Sequence, residues 1–275
     1  MIDEAVRFRP APALRPYIAW YSGYRQAGIA PGRHRGLPSP YLTLIVTIDD
    51  PLVVEAHPDP SQPGDEYTTL IGGLHTVPAL ITHDGRQSGV QLAVRPLGAR
   101  ALLGLPAGEL GHLDVRGEDV LGPLAVELHE RLRSAPSWPA RFAALDDVLL
   151  RVCRPDAAPA PEITEAWRLL VGGEHTVAEA ADVVGWSVRR LSGRFDLELG
   201  VSPKTAAKIA RFDRARRSLL QSSGLGLADL AVACGYYDQA HLARDFRELA
   251  GAPPSQWLAE ERRFVQAQGD ATRGG

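Results

Sequence analysis

The C-terminal third of the chain repeats itself, and no other sequence feature constrains the fold as tightly. Thr176, Val177, Glu179, Ala180, Ala181, Val184, Gly185 and Ser187 return as Gly226, Leu227, Asp229, Leu230, Ala231, Cys234, Gly235 and Asp238. Each copy has the spacing of a short helix, a glycine turn and a second helix. The second helix carries Leu191 and Phe195 in one copy, Leu242 and Phe246 in the other. Each copy then closes on a glycine and a proline, Gly200 and Pro203, then Gly251 and Pro254. Two helix-turn-helix units in tandem point to the reading of duplex DNA, because such a unit lays its second helix in the major groove.

Several features predict where these helices start and stop. Thr176 and Glu179 form a capping box, and Ser187 and Asp238 stand as N-caps of the two reading helices. Gly185 and Gly235 supply the left-handed turn, with one extra residue before the second cap. With Leu191, Phe195, Leu242 and Phe246 facing inward, the outward positions are Arg189, Arg190, Ser192, Gly193 and Arg194, then Gln239, Ala240, His241, Ala243 and Arg244. Arginine takes two bonds from a guanine edge, glutamine pairs with adenine, and alanine meets a thymine methyl. A long helix over about 204–220 joins the units, with Ile209, Phe212 and Leu219 as its buried stripe and Lys208, Arg211, Arg214 and Arg217 away from it.

The overall charge of −3 looks wrong for a DNA binder, but charge is unevenly spread. Residues 187–217 hold nine basic side chains against Asp196, Glu198 and Asp213, a net +6. Residues 218–248 hold Arg244 and Arg247 against four acids, a net −2. A local patch of this kind attracts phosphates even on an acidic chain.

On these residues the segment from about 162 to 263 resembles the DNA-binding domain of the AraC/XylS family of bacterial transcription regulators. The residues that carry the likeness are Gly185, Trp186, Ser187, Leu191, Phe195, Gly200, Val201, Ser202 and Pro203, then Gly235, Tyr236, Tyr237, His241, Leu242, Arg244, Phe246, Gly251, Pro254 and Trp257. The resemblance implies base contacts from Arg189, Ser192, Gly193, Gln239, Ala240, His241 and Arg244, with Arg190 beside them. It implies phosphate contacts at the helix starts, Ser187 and Asp238, and from Arg194, Lys204, Lys208 and Arg211. Two departures weaken the pattern. Gly193 offers no side chain where a long polar one often reaches DNA, and Asp245 adds negative charge to the second unit.

A chain of 275 residues has room for two domains. Residues 154–161, with three prolines in eight, read as a linker. The domains expected are 1–153 for sensing or dimerisation, 162–265 for DNA binding, and a flexible tail at 266–275. Short strands are expected at 41–48, 52–56, 67–71, 79–82 and 89–94, and helices at 97–103, 124–133 and 139–152. The fold class is therefore multidomain α+β, a β-barrel or sandwich with flanking helices followed by an all-α domain. The regions around Trp20, His75 and Arg95 look like the cupin-like N-terminal domain seen in some of these regulators. Trp20, Tyr21, Tyr24, Tyr41, His75 and Arg95 are the candidate ligand residues there, although an ordinary core would use the aromatic ones equally well.

The remaining expectations are negative or broad. Cys153 and Cys234 lie among apolar neighbours, and the eight histidines lack ligand spacing, so no metal, cofactor or catalysis is expected. No apolar run reaches the ~20 residues of a membrane span and no signal peptide pattern opens the chain, which suggests a cytoplasmic protein. Partners would be double-stranded DNA across two adjacent major grooves and a small-molecule effector, with RNA polymerase and a second copy of the chain as further candidates. The alternative keeps the DNA binding and uses the N-terminal domain only for dimerisation or protein contacts.

Overall fold

The structure, a computed structural model, describes residues 2–221 and 226–269, with side chains to residue 261. Among the described residues are ten strands: β1 (Ile2–Phe8), β2 (Ile18–Ala27), β3 (Gly32–Gly36), β4 (Leu42–Thr47), β5 (Leu52–Ala56), β6 (Asp65–Tyr67), β7 (Thr69–Gly72), β8 (Ala79–His83), β9 (Arg86–Val94) and β10 (Asp114–Arg116). Three helices follow β9 or flank β10: α1 (Ala99–Leu103), α2 (Gly117–Leu121) and α3 (Pro123–Ser134). After them come α4 (Trp138–Val152), α5 (Pro161–Gly172), α6 (Val177–Val183), α7 (Val188–Leu199), α8 (Pro203–Gln221), α9 (Leu227–Ala233), α10 (Gln239–Ala250) and α11 (Pro254–Gly269). Of the tail expected at 266–275, residues 270–275 lie outside the described residues.

The strands form two antiparallel sheets, β1-β2-β9-β4-β7-β10 and β3-β8-β5-β6. Each sheet has two ends, so the expected barrel-or-sandwich resolves to a sandwich. Strands β1, β2, β3 and β10 lay outside the expected set. β1 and β3 are polar and mostly exposed or half-buried, so they lack the β-branched density that marks a central strand.

Register assigns the faces of the larger sheet. Tyr21, Leu92, Leu44 and Ile71 stand in one cross-strand row. That face packs on the helices: Tyr21 stacks 6.0 Å from Phe142 of α4 and donates its hydroxyl to Asp146 at 2.9 Å. The next row, Ser22, Gln91, Ile45 and Leu70, points the other way. There Ile45 and Leu70 meet Val54, Ile81 and Tyr67 of the smaller sheet. The sheets are also clasped at one edge. The buried His57 bonds Asp114 of β10 through Nδ1 (2.8 Å) and Tyr67 of β6 through Nε2 (3.2 Å). Asp114 also has its main chain held on both sides by the Gln62 amide.

The core does not stop at the segment between α4 and α5. One buried cluster runs from Tyr21, Leu92 and Phe142 through Ile163 and Leu170 to Leu191, Phe195 and Leu199. A second cluster, from Phe212 to Trp257, belongs to the second helix-turn-helix unit. The first unit is thus fused to the strand-bearing region, and α8 spans from one core to the other.

The contact between them is unusually close. The 3-10 turn Ala107–Leu110 lies against the C-terminal end of α7. A Cβ on Gly108 would sit 2.2 Å from the Leu197 carbonyl oxygen, and one on Gly200 would sit 2.8 Å from the Gly111 Cα. Gly200 is also the left-handed C-cap of α7, with φ of 75°. Beside this contact Arg100 of α1 forks onto Glu198, with bonds of 2.7 and 2.8 Å.

Backbone against backbone leaves no flexible atom to yield. Gly108→Ala should therefore destabilise the protein by about 1–3 kcal/mol, the range for overpacking. Gly193→Ala is the contrasting variant, since nothing lies within 4 Å of its added Cβ. It should raise stability by about 0.5–1 kcal/mol through helix propensity. Thermal unfolding of both variants checks this, and equal effects of the same sign would contradict it.

Candidate nucleic-acid interface

The two units are built by the same local devices. Thr176 accepts the Glu179 amide and the Glu179 carboxylate accepts the Thr176 amide, which closes the capping box of α6. The turn after it takes Gly185 at φ 69°, and the Trp186 amide returns to the Ala181 carbonyl at 2.9 Å. In the second unit Gly235 has φ 83° and the Tyr236 amide returns to Ala231, also at 2.9 Å. Ala181 and Ala231 are fully buried beneath these turns, where a larger side chain would push the scaffold helix away. The copies differ at the scaffold start, because Gly226 offers α9 no side-chain cap.

The reading helices begin on capped ends. Ser187 accepts the Arg190 amide at 3.2 Å, and Asp238 accepts the His241 amide at 2.7 Å. Leu191, Phe195, Leu242 and Phe246 are completely buried. Phe195 stacks on Trp167 at 6.0 Å, and Phe246 packs against Trp257 at 5.7 Å and Phe212 at 4.9 Å. Fixing the inner stripe fixes the outer one. Arg189, Arg190, Gly193 and Arg194 are exposed on α7, with Ser192 half-buried. Gln239, Ala240 and Arg244 are exposed on α10, with His241 half-buried. Arg190 stacks over Trp186 at 4.6 Å, which holds its guanidinium close to the turn.

The connecting helix departs from the simple basic stripe. Lys204, at its start, is exposed, but the later cations are engaged inside the protein. Lys208 pairs with Glu248 at 2.5 Å and Asp245 at 3.7 Å. Arg211 donates to Asp245 at 3.0 Å and to His241 Nε2 at 3.3 Å, and lies over Tyr236 at 4.7 Å. Arg214 donates to the Val171 carbonyl at the end of α5, 2.7 Å away. Arg216 and Arg217 share the buried Asp213. Two residues expected to reach phosphates, Lys208 and Arg211, are therefore committed to the α8–α10 contact. Asp245, which read as an electrostatic defect, is the buried partner that binds α8 to α10.

Arg211 does more than neutralise Asp245. Its N–H can only donate, so in this contact His241 Nε2 is the acceptor. Asp245, Arg211, Tyr236 and His241 together orient the first turn of α10. Sequence spacing could not show this, because the partners lie 30 and 34 residues apart.

The six ligand candidates of the sandwich do not converge on one place. Tyr21 belongs to the helix-facing core. Arg95 donates to the Arg15 carbonyl at 3.2 Å, and His75 to the Val77 carbonyl at 2.6 Å. Burial lowers the pKa of His75, which favours its neutral form. Tyr41 is half-buried at the start of β4. Trp20 and Tyr24 lie on the sheet face turned toward the smaller sheet, Trp20 under the Arg7 guanidinium at 4.9 Å. Their neighbours by register are Ser22, Thr43 and Gln91, all half-buried and polar, with the small Ala93, Gly89 and Gly72 between them. Sequence reasoning passed over Ser22, Thr43 and Gln91. The signal was the alternation within β4 and β9, where Thr43 and Gln91 interrupt apolar runs. Among the described residues no group of three His, Cys, Asp or Glu side chains is placed to hold a metal ion, and no helix is long and apolar enough to cross a membrane.

Comparison with known proteins adds independent findings. Residues 180–260 match the family described as a helix-turn-helix domain, and residues 6–116 match a domain of unknown function, DUF6597. A probable thc operon regulatory protein of Rhodococcus erythropolis is 34% identical over 85 residues, 30% of this chain and 26% of that protein. The chain thus spans about a quarter of that relative's length. A transcriptional regulator of Chromobacterium violaceum with an AraC-type DNA-binding domain is 28% identical, covering 36% of this chain and 91% of that one, with a TM-score of 0.33. ToxT of Vibrio cholerae O395 is 11% identical, covering 86% of this chain and 96% of its own, with a TM-score of 0.50. The last likeness extends across both halves and concerns the fold alone. The C-terminal region of this chain, over residues 180–260, is a helix-turn-helix domain.

Proposed function

We propose that this chain is a DNA-binding transcription regulator that reads two adjacent major grooves with α7 and α10. The observation that carries the proposal is the exposed outer face of α7. Arg189, Arg190 and Arg194 form no ion pair there among the described residues, while the basic residues later in α8 are paired within the protein. Unpaired guanidinium groups beside a capped helix start are what a phosphate backbone and a guanine edge require. Arg189, Arg190, Ser192, Gln239, Ala240, His241 and Arg244 face the bases in this account. The backbone at Gly193 approaches without a side chain. Ser187, Arg194, Lys204 and Asp238 stand at the phosphates. Lys208 and Arg211 act instead as positioning residues for α10.

The sandwich is the controlling part. Its support is the half-buried face of Trp20, Ser22, Tyr24, Thr43 and Gln91 between the sheets, which offers aromatic surface with a few polar handles to a small effector. A second reading, a contact module without an effector, draws on Val126 and Leu150. Both are exposed, at 48% and 42%, beside the Glu127–Arg151 pair that links α3 to α4. A thermal-shift screen of metabolites separates the two. Hits that Gln91→Ala abolishes support the effector, and hits indifferent to that change count against this face.

Two predictions follow for DNA. Arg189→Ala and Gln239→Ala should each relax specificity at one or two base pairs by about 1–3 kcal/mol. Selection of binding sites from random duplexes reads this out, and unchanged profiles would remove the residue from the base-reading set. Arg211→Ala should lower stability by about 1–3 kcal/mol, because Asp245 keeps only Lys208. It should also blur the preference at the half-site read by α10 while leaving that of α7 intact. Uniform weakening at both half-sites would return Arg211 to the phosphate set.

A further inference from the structure

Where the two halves meet, three arginines line one open cleft. It has a volume of about 300 Å³ and is lined by Arg100 and Gly104 of α1 and its cap, Arg154 and residues 157–160 of the connecting segment, and Arg194 and Glu198 of α7. Arg100 and Glu198 satisfy each other through their double bond. Arg154 and Arg194 have no ion pair among the described residues, so once Glu198 is matched with Arg100 the lining keeps two positive charges. The main chain around Arg154 is itself pinned: its amide donates to the Ala101 carbonyl at 2.9 Å, and its carbonyl accepts from Ala157 at 3.0 Å. The guanidinium is thus carried on an anchored turn rather than on a free tail.

We propose that this junction is a binding site for a small dianionic oxyanion, of the phosphate or phosphoester class, held between Arg154 and Arg194. Two guanidinium forks matched by one dianion account for the charge. Planar donors suit the oxygens of a phosphate, and each fork can give two parallel bonds. The volume is at the lower end for ligand sites, which fits an inorganic anion or a short phosphorylated metabolite. The lining combines three arginines and Glu198 with small residues and presents more polar than apolar surface, which suits an anion and not an acyl chain. This site is separate from the half-buried face between the sheets.

Binding would join all three parts of the chain, α1, the connecting segment and α7. It would also occupy Arg194, which the proposed function places at a DNA phosphate. One guanidinium cannot serve both partners fully, so the anion and DNA weaken each other's binding by the same factor. This competition rests on the DNA-binding reading; the anion site itself does not.

The experiment uses the full chain with inorganic phosphate as probe, against chloride at matched ionic strength. Phosphate should raise the unfolding temperature of the wild type and of Arg133→Gln, an exposed cation of α3 that does not line the cleft. Arg154→Gln should keep the wild-type unfolding temperature in chloride and bind phosphate at least tenfold more weakly by calorimetry. An equal phosphate response in wild type and Arg154→Gln, or none beyond chloride in the wild type, overturns the site. A separate arm measures binding of a 40-base-pair duplex. Phosphate should weaken it severalfold in the wild type and not in Arg154→Gln. If instead Arg154→Gln weakens duplex binding in phosphate-free buffer and the wild type ignores phosphate, the two arginines hold the DNA backbone, and the free-anion proposal is overturned. A chain that answers to phosphate but never binds duplex keeps the anion site and loses the DNA reading.

Discussion

The contact of Gly108 and Gly111 with the end of α7 is the constraint on which the rest of the arrangement depends. Main chain meets main chain there, with no side chain to cushion a shift. The left-handed Gly200 ends α7 at the same point, and Arg100 ties Glu198 one residue inside the helix end. The first reading helix is therefore anchored at its C-terminal end by the strand-bearing half, while its N-terminal half stays open. Any signal from the sandwich that alters the 3-10 turn or α1 acts directly on that helix. Interiors of this density pass on displacements and do not absorb them.

The second unit is held differently. Its core is its own, closed by Trp257, Phe246 and Phe212. Its tie to α8 is apolar through Phe212 against Phe246 and ionic through the buried Asp245 with Lys208 and Arg211. Its link to the sandwich runs through Arg35 of β3, which pairs with Glu260 of α11, and through Leu37, which packs on the second core. So the two copies of one sequence motif have different mechanical roles: one is built into the sandwich, and the other is borne on a helix and steered by a charge network. The charge difference visible in the sequence has the same logic. Free arginines gather on α7, and paired cations gather between α8 and α10.

Much of this was legible in the residues and some of it could not be. The caps at Thr176, Ser187 and Asp238, the turns at Gly185 and Gly235, and the buried stripe of Leu191, Phe195, Leu242 and Phe246 are local patterns, and local patterns fix local structure. The strands at 42–47 and 52–56 were equally plain, because β-branched runs bounded by turn residues have few other uses. β1 and β3 were not, since polar strands are defined by the neighbour they pair with. The commitment of Lys208 and Arg211 was hidden for the same reason. Helical spacing places them outward from the α8 stripe, and only the packing of α10 turns that side into an interface. Tyr21 and Trp20 show how finely this cuts: adjacent in sequence, they fall on opposite faces of β2, one in the helix-facing core and one in the half-buried space between the sheets.

The central claim is that a small set of unpaired cations, Arg189, Arg190, Arg194, Lys204 and Arg244, carries the electrostatic attraction to DNA, and that the later basic residues of α8 do not. The dependence of duplex affinity on salt concentration tests it most directly, because each phosphate neutralised adds about −0.9 to the slope of log K against log salt. Arg194 and Lys204 at the phosphates give a slope of about −2, which reaches about −4 to −5 if the base-facing Arg189, Arg190 and Arg244 each neutralise a phosphate as well. A slope of about −8 or steeper would mean that Lys208, Arg211 and the arginines beyond them leave their carboxylates for the DNA, and would contradict the account.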